Sequence, residues 1–325
     1  MMDFGKKKTL WALLGLAVAV ALPLVFNDRY IQHLLVMSLI FAIFASSWNL
    51  LTGYAGQLNL GAAAFFGIGA YGSALISMLL GVPPWISMFL GSLLAAVAGF
   101  LLGIPSLRLS GPYLCITTIG FAEILRLVAM NWVDMTRGSL GLYGIPPLPG
   151  FWGIEFNHEL PYYYVCLAAT ILSLFCFRRL THSEFGLTLE SMREDEQGAA
   201  SIGINTSGYK LTVFTISAFF GGFAGALFAH YQQLISPDTL SLSETFSALT
   251  MTMLGGLGTL AGPVIGAVLL TFFSEGLRFV EDLIKIDVRL IIYGLILIFT
   301  ILFMRGGIVG ILRRLRPGKT DGERV

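Results

Sequence analysis

RRLTHSEFGLTLESMREDEQGAASIGINTSGYK, residues 178–210, is the one long polar stretch lying between hydrophobic runs. Its middle, Glu184 to Glu196, holds Glu184, Glu190, Glu194, Asp195 and Glu196 against Arg193, a net charge of −4. An anionic membrane surface repels such a segment, so it does not read as a lipid anchor. After Gly186 the residues are good helix formers, with Leu187, Leu189, Met192, Ala199 and Ala200 offering apolar contacts and Gly203 a stop. The expectation is a short helix, acidic on one face and apolar on another, shaped for a cleft in a soluble partner. In that cleft Arg193 would make a bidentate contact. The competing reading is a solvated connecting loop, but long loops with helical structure of their own are usually functional.

On both sides of this stretch the chain is oily. Over its 325 residues, 56% are hydrophobic and 12% charged. Soluble domains carry about 25% charged residues, so the composition points to the membrane class. The net charge of +1 gives no reason to expect a nucleic-acid partner. Cys115, Cys166 and Cys176 stand in apolar runs without metal-ligand spacing, and read as small buried hydrophobes.

The apolar runs predict an all-α polytopic bundle of about ten transmembrane helices with two glycine-rich broken segments. The first span is Leu10–Phe26, behind a tail at residues 1–9 that carries Lys6, Lys7 and Lys8; a signal peptide is the alternative reading. The next spans are Ile31–Leu51, a third ending near Leu80, Trp85–Ile104, Tyr113–Trp132, Pro161–Phe177 and Tyr209–Tyr231. The last three are Glu244–Leu254, a ninth reaching Val280, and Val288–Met304, before a basic tail at 305–325. Residues 133–160 form a polar external loop, and 178–210 the loop on the other side. Fourteen Lys and Arg fall on the side assigned to the cytoplasm against four outside, which puts both termini inside. His33 and His230 stand alone near external ends and read as interfacial, and Gly221–Gly225 is a stripe for close helix contact.

The two breaks are Gly53–Leu75, with Gly53, Gly56, Gln57, Asn59 and Gly61, and Gly255–Phe273, with Gly255, Gly256 and Gly258. Interrupted helices expose backbone amides and carbonyls, which suit a zwitterion's two charges, so these residues are the candidate substrate path. Tight packing through glycine is the equal alternative. Glu123 and Arg126, spaced i, i+3 inside the fifth span and close to its end, form an intramembrane charge pair that either lines a polar path, binds a partner helix or is structural.

Three stretches carry a family resemblance. WNLLTGYAGQLNLGAAAFFGIGAYGSAL (48–75), FGLTLESMREDEQGAASIGINTSGYKLTVFTISAFFGGFAGAL (185–227) and MLGGLGTLAGPVIGA (253–267) occur in order. Together they resemble the branched-chain amino acid ABC transporter permeases of the LivM type, over roughly Ile31–Met304. The resemblance implies an importer subunit in a bacterial-type inner membrane. It would pair with a LivH-type permease, two cytoplasmic ATPase subunits and an extracytoplasmic substrate-binding protein. It also implies that Glu184–Gly203 is the ATPase-coupling helix, with Arg193, Glu194, Glu196, Ala199, Ala200 and Gly203 in the matching motif. Urea and short-amide permeases share the pattern and stay open as the alternative.

No cofactor is expected, and no catalytic residue. Gly318-Lys319-Thr320 lacks the upstream glycine of a phosphate-binding loop, since position 313 is Arg, so ATP would be hydrolysed by other subunits. An ion-coupled secondary transporter would want unpaired acids deep in spans, and few are present; a membrane enzyme would want a catalytic set. Asn205-Thr206-Ser207 matches a glycosylation acceptor but falls in the cytoplasmic loop.

Overall fold

The computed structural model describes residues 17, 19–23, 28–106, 109, 111–150, 156, 158–284, 289–304 and 306–314. The tail at 1–9, most of the expected first span Leu10–Phe26, Arg108, Lys285, Arg305 and the chain beyond residue 314 lie outside the described residues.

The centre of the bundle is α1, Arg29–Asn49. Its start is fixed by Asp28, whose Oδ1 accepts the Tyr30 amide at 3.0 Å. A π-helical turn, Leu50–Tyr54, prolongs it to 26 residues, about 39 Å, enough to cross a bilayer. Beyond its exposed first turn the helix is mostly apolar and has no strongly polar face, which is why it sits inside its neighbours. Next along the chain come α2 (Ala62–Leu80), α3 (Pro84–Ser106), α4 (Pro112–Asn131), α5 (Glu159–Thr181) and, after the polar loop, α8 (Thr206–Gln232); α5 and α8 pack against α1, and α2 and α3 pack against α8. Within the loop lie α6 (Glu184–Glu194) and α7 (Glu196–Ser201). The chain continues through α9 (Leu242–Gly255), α10 (Gly262–Ile284), α11 (Arg289–Phe303) and α12 (Gly307–Arg314).

Among the described residues, six helices are long and apolar enough to span a membrane: α1 with its π turn, α2, α3, α4, α5 and α8. The sequence reading expected about ten. The region expected as the eighth span is α9, 14 residues and about 21 Å, too short to cross alone.

The α2, α3 and α8 helices pack through small residues. A Cβ at Gly69 would overlap the backbone of Gly222, and one at Gly222 the Ala95 side chain. Only glycine allows that approach, and the expected Gly221–Gly225 stripe is one wall of it.

The expected external loop is more than a loop. Leu142–Tyr143 (β1) pairs antiparallel with Leu234–Ile235 (β2), Leu142 opposite Ile235. Leu142, Ile145, Ile235 and Leu240 are buried with Ala70, Tyr71, Ala74, Ala129 and Ala229 in one cluster. His230 is not interfacial: it is fully buried, its Nε2 2.8 Å from Ser73 Oγ and its Nδ1 2.7 Å from the Pro146 carbonyl. A buried imidazole needs partners on both nitrogens, and the loop supplies one of them.

Candidate coupling junction

The polar stretch folds as two helices, not the single one expected over Glu184–Gly203. Asp195 adopts an extended conformation, ending α6, and its Oδ1 accepts the amides of Gln197 and Gly198 at 3.0 Å each. A short acid competes with the helical backbone and favours this capping position, so the break is written in Asp195 itself. Gly203, at φ +92°, closes α7: its amide bonds Ala200 and that of Ile204 bonds Ala199. Asn205 then caps α8 through Gly208, which gives that asparagine a structural task.

One face of the pair is fixed to the bundle. Gly186, Leu189, Met192 and Ala199 are buried there. Glu196 pairs with Lys210, a cation 7% exposed at the base of α8. The other face carries Glu184, Leu187, Glu190, Glu194, Ala200 and Ile202, all exposed, with Ile202 at 78%. Acid and apolar side chains alternate on it.

Arg193 differs from expectation. The residue is exposed, yet its Nη1 reaches the bundle and donates to the carbonyl of Gly53 at 2.5 Å. Gly53 belongs to the π turn that ends α1, where carbonyls lack helical partners and a cation is favoured. Gly56, at φ +70°, lies under the stem of the same side chain, and a Cβ there would sit 3.0 Å from Arg193 Cγ. A Cβ on Gly258 would sit 3.2 Å from Arg193 Nη1.

Asn49 completes the junction, and sequence reasoning missed it. It is 2% exposed in the last turn of α1. Its Nδ2 donates to the Thr259 carbonyl at 2.9 Å and its Oδ1 accepts the Gly258 amide at 2.8 Å. The available signal was an amide at the end of a mostly apolar helix, which when buried must find partners. Thr259 closes its own turn, donating to the Gly256 carbonyl at 2.7 Å and accepting the Gly262 amide at 3.0 Å. The structure therefore brings Arg193, Gly53, Gly56 and Gly258 together, with Gly255 and Gly256 in the same turn.

The other candidates lie apart. Asn59 is buried, with its Oδ1 on the Gly61 amide and its carbonyl taking the Trp48 indole at 2.7 Å, so its polar atoms shape the turn. Gly61 lies against the Thr118 carbonyl of α4, and the Gln57 carbonyl accepts from Thr52. Glu123 and Arg126 stand away from the junction on α4, bidentate at 2.9 and 2.6 Å. Glu123 and Arg126 are the twelfth and fifteenth residues of that 20-residue helix, in its C-terminal half. Their side chains are 46% and 26% exposed.

A family model described as "Branched-chain amino acid transport system / permease component" matches residues 30–301, most of the chain. The chain belongs to this family. The permease is 33% identical to the high-affinity branched-chain amino acid transport system permease protein LivM of Salmonella typhimurium, over 98% of this chain and 80% of that protein. The LivM of Escherichia coli K12 matches to the same extent. The LivH permease of Escherichia coli K12 is 26% identical over 83% of this chain and 91% of its own length. No solved structure matches the permease. Family and apolar helices together make it a multi-pass membrane protein.

Proposed function

We propose that the permease is a membrane subunit of an ATP-driven importer for branched-chain or related amino acids. It pairs with a LivH-type permease, two cytoplasmic ATPase subunits and an extracytoplasmic binding protein. The relatives' names support the substrate class and the pairing. The observation that carries the mechanism is the bond from Arg193 to Gly53. A push on the exposed face of α6 and α7 is passed by Arg193 to the end of α1, and by Asn49 to the Gly256–Gly262 turn. Both termini and residues 178–210 face the cytoplasm in this reading, which follows the distribution of basic residues. The full count of ten spans needs Leu10–Phe26 as the first, and the short α9 entering with α10.

The glycine turns can then serve the substrate path by moving, since they are tied to the helix ends that the ATPases displace. The Glu123–Arg126 pair is proposed to face the second permease. A partly exposed ion pair within a span is expensive against lipid, and α4 is the least buried of the six spans. Its exposed neighbours Ile116, Ile124, Leu127 and Val128 would pack on the partner.

Uptake by proteoliposomes holding the permease with its four companion polypeptides tests the function. ATP-dependent accumulation of labelled leucine is expected. Accumulation of labelled urea without leucine would move the permease to the short-amide alternative, and leucine uptake driven by an ion gradient through the permease alone would replace the reading with a secondary transporter.

A further inference from the structure

α8 joins the two ends of the bundle. Lys210, in its second turn, holds Glu196 of α7, and His230, in its last turn, meets the folded external segment. About 30 Å of helix separates the two residues.

His230 is fully buried, and its ring nitrogens have fixed roles. A carbonyl only accepts, so Nδ1 carries the proton and donates to Pro146 at 2.7 Å. Nε2 is then the acceptor, and the hydroxyls at hand are Ser73 Oγ of α2 at 2.8 Å and Ser87 Oγ of α3 at 3.2 Å. One imidazole thus ties α2, α3, α8 and the external segment together at a single point. The same three helices pack too closely to slide past one another. A Cβ at Gly225 of α8 would overlap the Phe66 carbonyl of α2, and one at Gly91 of α3 would crowd the Gly69 carbonyl and the Ser73 amide of α2. The segment is also fastened through its backbone. The Ile145 amide donates to the Gln233 carbonyl at 3.3 Å, and the Tyr162 hydroxyl accepts the Leu148 amide at 3.1 Å and donates to the His230 carbonyl at 3.3 Å. Pro146 lies between those two amides, so the imidazole fixes the middle of the stretch.

We propose, resting on the proposed function, that His230 is a positioning residue of transport: through it α2, α3 and α8 carry the external segment as one body with the base of α8. A displacement of α7 acts on Lys210 through Glu196, and the block delivers it to residues 141–148, on the side where the binding protein brings the substrate. In reverse, the binding protein pressing on residues 141–148 is felt at α7 by the ATPases. The junction at Arg193 and Asn49 moves α1 and the Gly256–Gly262 turn; His230 supplies the outward arm on α8. Helix ends fray, so a segment bonded to Gln233 alone would follow the loose end of α8; the hydroxyls of Ser73 and Ser87 tie it to α2 and α3 as well.

The test is ATP hydrolysis by the reconstituted complex of both permeases and the ATPases, with and without leucine-loaded binding protein. Wild type is expected to hydrolyse faster when the binding protein is present. His230→Phe fills the site and loses both bonds; stimulation is expected to fall roughly tenfold, the size of an ordinary coupling between sites, while basal hydrolysis and recovery of the complex are unchanged. His230→Gln, whose amide donates to Pro146 and accepts from Ser73, is expected to restore most of the stimulation. Full stimulation in His230→Phe overturns the proposal, and so does equal loss in His230→Phe and His230→Gln, which would assign the effect to shape. If His230→Phe yields no complex, Ser73→Ala combined with Ser87→Ala strips both hydroxyls from Nε2 and leaves the ring; reduced stimulation is expected there, and wild-type stimulation overturns the proposal. A wild-type complex that ignores the binding protein and imports nothing overturns the proposed function and this inference with it.

Discussion

Arg193 and Gly53 are 140 residues apart in sequence, and the guanidinium of the first rests on the carbonyl of the second. A residue in the acidic loop is thereby a contact between that loop and the central helix. Arg193→Ala removes the charge-assisted donor to that carbonyl, and leucine uptake is expected to fall at least tenfold. Co-purification of the ATPases is expected to persist, because the exposed face of α6 is untouched. Arg193→Lys, a point charge in place of the fork, should recover part of the uptake. Unchanged uptake in Arg193→Ala would sink the linkage.

Asn49→Leu removes a side chain that satisfies both the Gly258 amide and the Thr259 carbonyl. Leaving buried backbone groups unpaired costs roughly 1–3 kcal/mol each, so the melting temperature in detergent should drop by several degrees. Gly53→Ala should do comparable damage by a different route, since the added Cβ would overlap Asn49 Oδ1. Thermal unfolding followed by tryptophan fluorescence measures both.

Glu194 and Glu196 separate. Glu194 is exposed on the outer face, whereas Glu196 pairs with the buried Lys210. Glu194→Lys is expected to reduce ATPase co-purification and leave the melting temperature unchanged. Glu196→Lys places a second cation beside Lys210 and is expected to lower stability as well as assembly. Equal effects of the two substitutions on stability would contradict this division.

Glu123→Ala strands Arg126 within the apolar helix α4 and should reduce recovery of the two-permease complex severalfold, read by co-purification of the second permease. The double exchange Glu123→Arg with Arg126→Glu rebuilds the pair in reverse and should restore most of the assembly. A lone Glu123→Ala variant that assembles normally would remove α4 from the interface.

The oily runs were legible because lipid, or the inside of a bundle, demands uninterrupted apolar helix, and α1 to α5 and α8 lie where the runs lie. The small-residue stripe at Gly221–Gly225 was legible for a similar reason, since its spacing repeats along one helix. The break at Asp195 was present in the sequence but read through: DEQG carries a capping acid followed by free amides, and helix propensity on both sides masked it. The folded external segment was harder. Leu142 and Ile235 look like loop residues until they are paired with each other.

The sequence by itself determined that this chain fills a membrane, because hydropathy is a sum over neighbours along the chain and needs no partner to be evaluated. It also determined where a polar stretch interrupts that filling. Only the tertiary structure decided that Arg193 meets Gly53 and that Asn49 meets Gly258, across 140 and 209 residues. A buried amide or a guanidinium announces that it needs hydrogen-bond partners, but every backbone amide and carbonyl is chemically alike, so the choice among them is made by which helix ends the packing brings within reach.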